Sequence, residues 1–309
     1  MGGKLKYYII LHLIVLVWGV TGILGDEISI TADKITFFRT GISFLSLLLV
    51  GLFIKNGKKL SSRQILSILG TGVIVGLHWY CFFYSIKVSN VSIGVVCMSS
   101  STLFTSILEP IIFKRKFAVS ELILSFAIIA GILVIFGFET RYSEGILFGL
   151  ISAFFAALFT VINGRMIKNI SSFNITKYEM LGGMLVLFVI LLITGKVDHQ
   201  LFEVPAMDWV YLVVLGIICT TVAFMVSVWV MKHVTPFTVS MSVNMEPIYT
   251  IIIALFIAAA RGSNKEQMSG WFYVGGAIIL LSIFTNAYLK KRKKVLKEDE
   301  NLLDSVTNP

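Results

Sequence analysis

The chain has 309 residues, 57% of them hydrophobic and only 14% charged, with a formal net charge of +9. A soluble globular domain carries roughly 25% charged residues, so this composition cannot cover a water-facing surface, and its long apolar blocks exclude a soluble enzyme, a coiled coil and a disordered chain. A polytopic helical membrane protein remains, with basic residues at the ends of apolar blocks, where they mark membrane topology rather than nucleic-acid binding.

A helix needs roughly 20 apolar residues to cross about 30 Å of hydrocarbon. Ten blocks of that kind follow one another: residues 7–25, 35–54, 65–86, 91–113, 119–138, 145–164, 174–194, 209–230, 238–259 and 269–289. The first follows Lys4 and Lys6. It is too long for a signal-peptide core and has no small-x-small cleavage site before Asp26 and Glu27, so it is read as a retained helix. With the N-terminus in the cytoplasm, nineteen Lys and Arg fall on the inner side and six on the outer side, while Arg39 lies within the second span. That excess predicts an even number of spans and both termini cytoplasmic, in a multi-pass protein of the inner (cytoplasmic) membrane. Cys81, Cys97 and Cys219 all sit inside apolar blocks without a C-x-x-C pair, against a disulfide framework or zinc site. Residues 290–309 read as a basic anchor followed by a polar cytoplasmic tail.

The two halves align at a constant offset of 145. Ser85-Ile86-Lys87 falls on Val230-Met231-Lys232, Tyr84 on Trp229, Leu103-Phe104-Thr105 on Ile248-Tyr249-Thr250, and Gly131 on Gly276. Each half holds five spans, an odd number, so the second lies upside down relative to the first. The predicted fold is an all-α integral membrane protein of ten transmembrane helices. It is arranged as two inverted five-helix repeats, residues 7–138 and 145–289, and inverted repeats of secondary transporters place the substrate near the midplane between them.

Trp18-Gly19, Phe38-Arg39, Ile86-Lys87-Val88-Ser89 with Met231-Lys232-His233-Val234-Thr235, and Met245-Glu246-Pro247 carry a resemblance. On these motifs the chain resembles the drug/metabolite transporter superfamily, specifically its EamA-type members with ten helices in two repeats. Thr102 stands where the first repeat of that family often has the proline equivalent to Pro247, and Glu109-Pro110 comes two turns later. The resemblance implies export or uptake of small metabolites such as amino acids by alternating access, without ATP.

Glu246 is the leading candidate residue. It lies eight residues into span nine, about 12 Å deep at 1.5 Å per residue, where a carboxylate needs water, a partner or a proton. Pro247 cannot donate to the Val243 carbonyl, which suggests a proton, cation or substrate-amine site beside the carboxylate; the plainer reading is a kink paired with a neighbouring helix. Thr238, Ser242, Glu246 and Thr250 form a polar stripe at spacing four with Asn244 at its edge, and span four answers with Cys97, Ser101 and Thr105, alongside Ser99, Ser100 and Thr102. Small hydroxyls serve close packing as well as ligand binding. His78-Trp79-Tyr80 lies near the middle of span three. A histidine there can titrate near neutral pH and couple substrate to protons, or simply bond a neighbouring helix. Trp18, Trp79, Tyr80, Trp229 and Tyr249 are aromatic candidates for lining a cavity suited to amphipathic solutes.

Arg39 and Glu179 sit one turn inside their spans, as gate residues or, the slightly favoured reading, as snorkelling side chains. Glu109 is a third helix-end charge, close enough to Lys114-Arg115-Lys116 to pair with that cluster. Gly72/Gly76 and Gly145/Gly149 are small-xxx-small faces for helix packing.

No Walker A loop, no metal-ligand motif and no nucleophile–base pairing is visible, so no cofactor and no metal are expected. The expected partners are a small-molecule metabolite, the lipid bilayer and, as candidate coupling ion, the proton. No nucleic acid is expected, and the chain should be a monomer or a weak oligomer. The leading function is secondary transport of small organic metabolites, amino-acid-like or otherwise amphipathic, across the cytoplasmic membrane. A passive channel is the alternative, and a membrane-embedded enzyme the weakest reading, because the intramembrane ionisable residues are scattered over different spans.

Overall fold

The computed structural model describes residues 2–53, 59–117, 119–138, 140–261, 270, 271, 273–278, 281, 282, 284 and 285. Among them all regular structure is helical. The first half contains α1 (Gly2–Glu27), α2 (Ala32–Phe53), α3 (Ser62–Val88), α4 (Val91–Met98), α5 (Ser101–Phe113) and α6 (Val119–Phe138). The second contains α7 (Ser143–Met166), α8 (Ser172–Ile193), α9 (Ala206–Val214), α10 (Ala223–Val230), α11 (Pro236–Val243) and α12 (Glu246–Arg261). Residues 270–285 are helical wherever described, and the tail expected at 290–309 lies outside the described residues.

Seven stretches among the described residues are long and apolar enough to cross a bilayer: α1, α2, α3, α4 with α5, α7, α8, and α9 through α10. The chain is therefore a multi-pass helical membrane protein. The other three expected spans fall on α6, on α11 with α12, and on 270–285. Side chains such as Leu49, Phe53, Leu133 and Ile193 stay exposed, as a lipid-facing surface requires.

Local chemistry sets several helix starts. Ser61 and Gln64 form a capping box at the start of α3. The Asn90 side chain accepts from Ile93 N at 2.9 Å to open α4. Thr235 caps α11, whose first residue is Pro236, a position where the missing N–H costs nothing.

Two expected spans are not continuous. Residues 91–113 break at Ser99-Ser100 between α4 and α5, and the ninth span breaks at Asn244-Met245 between α11 and α12. The breaks are in register: α4 runs from 91 to 98 and α11 from 236 to 243, and α5 and α12 begin at 101 and 246. Pro247 thus belongs to the start of a second helix rather than to a kink in one helix. The eighth span has its own irregularity, a π-helical stretch from Leu215 to Val222 between α9 and α10.

The helices pack through glycine. A Cβ on Gly76 of α3 would stand 2.9 Å from the Cα of Gly183 on α8, and one on Gly149 of α7 would stand 2.7 Å from the Cβ of Cys97. Both distances are too short for side chains, so these glycines let the backbones approach.

Candidate functional site

The halves meet around a cavity of about 80 Å³. Its wall comes from α1, α2, α3, α4, α7, α10 and α11 together with the first residues of α5 and α12, Ser101 and Glu246. These two residues are mates at the offset of 145. Both interrupted spans thus reach the chamber at their tightened turns, where Thr102 N donates to the Ser99 carbonyl and Met245 N to the Ser242 carbonyl.

The breaks are tied together. Asn244 Nδ2 donates to Thr102 Oγ1 at 2.7 Å, Thr102 Oγ1 donates to the Ser240 carbonyl at 3.3 Å, and Thr105 Oγ1 lies 2.8 Å from Ser240 Oγ. Asn244 Oδ1 and Ser99 Oγ are buried without a partner. Glu246 itself is 5% exposed, and its carboxylate makes no hydrogen bond and no ion pair among the described residues. It faces the cavity.

The cavity's cation is Arg39. The expected snorkelling does not occur: the side chain is 1% exposed. Its Nε donates to Thr220 Oγ1 at 2.5 Å, and its guanidinium carbon stands 4.2 Å from the Trp79 ring centre and 5.5 Å from that of Phe83. One guanidinium nitrogen, Nη1, has no partner. Closeness to the span end suggested snorkelling; the direction of the side chain on α2, toward Trp79, decided otherwise.

The π-helical stretch is what meets Arg39. Thr220 Oγ1 donates to the Leu215 carbonyl at 2.7 Å and Thr221 Oγ1 to the Gly216 carbonyl at 2.9 Å, each five residues back. Thr221 also lies within 2.9 Å of Ser43 Oγ and 2.8 Å of Ser46 Oγ on α2. The Cys219 carbonyl accepts from Trp18 Nε1 at 3.1 Å. The widened turn thereby orients a guanidinium and an indole of two other helices, a known use of π turns near functional sites.

His78 is held by α7. Ser152 Oγ donates to the His78 carbonyl at 2.9 Å, and His78 Nδ1 lies 3.0 Å from the Ser152 carbonyl, which makes Nδ1 the donor and leaves Nε2 as the ring's acceptor. The ring reaches the cavity wall beside Trp79 and Phe82.

Of the fourteen residues singled out from sequence, Trp18, Arg39, His78, Trp79, Ser101 and Glu246 line the cavity. The others lie elsewhere. Ser99 and Asn244 form the breaks, and Ser242 Oγ bonds back to the Thr238 carbonyl at 3.0 Å. Tyr80 lies beside Tyr84, the rings tilted by 32° with centres 5.9 Å apart. Trp229 packs with Tyr7 and His233, and Tyr249 Oη meets His12 Nδ1 at 2.9 Å. Glu109 accepts from Phe237 N at 2.7 Å, at the N-terminus of α11, and lies 3.4 Å from Arg115. Glu179 is fully buried rather than snorkelling and accepts from Asn163 Nδ2 at 3.3 Å.

Sequence reasoning missed Thr160, Asn163, Ser227 and Ser240, and the aromatics Phe159 and Phe224. The α7 residues carried a readable signal, since Ala156, Phe159, Thr160 and Asn163 follow the i, i+3, i+4, i+7 pattern of one helix face. Among the described residues no cluster of His, Cys, Asp and Glu could hold a metal ion.

Comparison with known proteins bears directly on this architecture. The EamA-like transporter family matches residues 5–137 and again residues 143–288. The chain belongs to the EamA-like transporter family. GDP-fucose transporter 1 of Dictyostelium discoideum is 23% identical over 263 residues, covering 79% of this chain and 70% of its own. The uncharacterized transporter YdfC of Bacillus subtilis is 23% identical over 271 residues, 86% of this chain and 85% of its own. Its counterpart YyaM from the same organism is 22% identical over 258 residues, 80% and 82% of the two chains. A crystal structure aligns over 92% of this chain and 98% of its own with a TM-score of 0.63 at 14% identity, a likeness of fold alone.

Proposed function

We propose that this EamA-like chain is a secondary transporter that carries small amphipathic metabolites, amino-acid-like in their charge pattern, across the cytoplasmic membrane by alternating access. Ten spans in two inverted repeats, residues 7–138 and 145–289, with both termini cytoplasmic, make up the carrier. The double family match and the two helix breaks in register at an offset of 145 support that arrangement. One observation carries the substrate reading: a single aromatic chamber holds an unpaired carboxylate, Glu246, and a guanidinium, Arg39, that do not pair with each other. An intramembrane charge left without a partner is costly. A solute with an ammonium at one end, a carboxylate at the other and an apolar body satisfies both charges and covers Trp18, Trp79 and Phe82. The Dictyostelium relative is named for a sugar nucleotide; a chamber of about 80 Å³ suits a smaller solute.

A carrier is favoured over a pore because one side is tied shut. Lys196 Nζ lies 2.6 Å from Asp33 Oδ2, Ser29 donates to Asp208 Oδ2 through its backbone at 2.9 Å and its hydroxyl at 2.7 Å, and Lys34 Nζ donates to the Gln200 carbonyl at 2.9 Å. Lys87 Nζ closes the set on the Ile28 carbonyl. In the topology proposed here these bonds join the outer loops.

Exchange of radiolabelled L-phenylalanine in proteoliposomes tests the reading. Saturable counterflow is expected, abolished by Glu246→Gln in protein that remains folded and inserted. Unchanged flux in that variant removes the carboxylate from the site, and non-saturating flux without counterflow indicates a channel.

A further inference from the structure

One buried carboxylate takes no part in the cavity. Glu179 of α8 is wholly buried, and its one hydrogen bond comes from Asn163 Nδ2 of α7 to Oε2, at 3.3 Å. Its other oxygen, Oε1, has no partner. Neither does Asn163 Oδ1, nor Thr176 Oγ1, three residues before Glu179 on the same face of α8. All three side chains are 0% exposed. Buried polar atoms kept only for packing are nearly always satisfied, so three unpartnered oxygens at one carboxyl group set it apart from the packing around it.

Among the described residues no basic side chain answers it. α8 packs on α2, α3 and α10, and α7 supplies Asn163. On α2, Arg39 is turned to Thr220 and Trp79. On α3, His78 is turned to Ser152, Arg63 is exposed, and Lys87 reaches the Ile28 carbonyl. On α7, Arg165 is exposed, and α10 has no titratable side chain. On α8 itself, Lys177 lies over the Phe173 and Tyr178 rings. From the α3 side nothing larger than hydrogen fits, because a Cβ on Gly72 would collide with the backbone of Glu179. No cation of the described residues reaches the carboxyl group. Asn163 does reach it, and the same side chain lines the cavity.

We propose that Glu179 takes up and releases the proton that drives transport, with Asn163 as the positioning residue between it and the substrate chamber. In the arrangement seen, the amide NH₂ donates to Oε2 of the carboxyl group. Protonation forms an O–H bond on the carboxyl group as a hydronium ion in the chamber gives up its proton and becomes water. The amide then turns over, so that Oδ1 accepts from that O–H and Nδ2 points at the chamber. The proton returns to water when the chamber opens to the opposite side. Asn163 offers its NH₂ either to Glu179 or to the occupant of the chamber, so occupancy and protonation are linked. The link to transport rests on the carrier reading; the protonation does not.

Two measurements on the full chain separate these. Infrared spectra of the protein in nanodiscs, recorded as a function of pH without substrate, should contain a titrating carbonyl band of a protonated carboxylic acid. That band should vanish in Glu179→Gln, persist in Glu246→Gln and shift in Asn163→Ala. If Glu179→Gln leaves every titrating carboxyl band in place, the proposal is overturned; should that variant not fold, Glu179→Asp must displace the band or the proposal falls. In proteoliposomes with L-phenylalanine as probe, Glu179→Gln should still show counterflow, at whatever rate, and lose the accumulation driven by a pH gradient that the wild type shows. Accumulation retained, or driven by a sodium gradient instead, also overturns it. If the wild type moves no probe, the carrier reading fails for that solute while the infrared titration still decides on Glu179.

Discussion

Replacing Thr102 with valine removes one hydroxyl from the point where the two broken helices cross and leaves the side-chain volume unchanged. That hydroxyl accepts from Asn244 Nδ2 at 2.7 Å and donates to the Ser240 carbonyl at 3.3 Å. An interhelical side-chain hydrogen bond inside a bilayer is worth about 0.6 kcal/mol on average, and a buried donor stranded by the change costs about 1 kcal/mol more. Thr102→Val should therefore destabilise by about 2 kcal/mol. Asn244→Ala should cost less, because Asn244 Oδ1 already lacks a partner and its removal relieves that deficit. In the Thr102→Val background, Asn244→Ala should be nearly neutral, giving a coupling of about 1 kcal/mol in the double-mutant cycle. Reversible unfolding in mixed micelles, with each variant titrated by SDS, measures all four corners. Additivity within about 0.3–0.5 kcal/mol, the margin for independent sites, would show that the crossing contributes nothing to holding the breaks in register.

Arg39→Lys keeps the charge but loses the flat stack on Trp79 and the Nε bond to Thr220; a desolvated cation–π contact is worth about 2 kcal/mol, so SDS titration should show a loss of stability of about 1–2 kcal/mol, and unchanged stability would show that the stack contributes nothing. Gly72→Ala, which forces a Cβ into the backbone of Glu179, should lower stability by about 1–3 kcal/mol. Gly70→Ala, with nothing within 4 Å of its new methyl, should be neutral or slightly stabilising, and thermal unfolding of the pair checks the contrast. Lys196→Met removes the ion pair with Asp33 and should raise several-fold the rate at which an impermeant maleimide added outside labels Ser101→Cys, in protein whose three native cysteines are replaced.

The spans were legible because the bilayer imposes a single length and a single solvent on every crossing helix, and hydropathy reads both. The offset of 145 read from scattered sequence matches is also the spacing at which α4 and α11 coincide at both ends. The breaks themselves were not legible. Pro247 hinted at one, but Ser99-Ser100 carries no breaker residue, and the first half opens there with hydroxyls alone. Arg39 was misjudged because depth along a helix is readable and direction around it is not, without knowing which neighbour supplies Trp79 and Thr220. Asn163 escaped notice as a lone amide near a span end, the position where a polar side chain most often needs no explanation. The π turn has no pattern of its own in sequence; Thr220 and Thr221 reveal it only once their hydroxyls are seen to reach five residues back.

That turn makes the two halves unequal. Subtracting 145 from the stretch between Leu215 and Val222 leads to residues 70–77, which lie in an uninterrupted α-helix, α3. In a carrier whose halves trade postures, identical halves would make its two end states mirror images of equal energy. Here one strut is wound more loosely than its twin, so the postures cannot be exchanged without changing the winding of one of them. Under the carrier reading proposed above, the two end states would differ in energy before any solute or gradient acts, and a substitution that tightens the loose strut should shift that balance without touching the chamber.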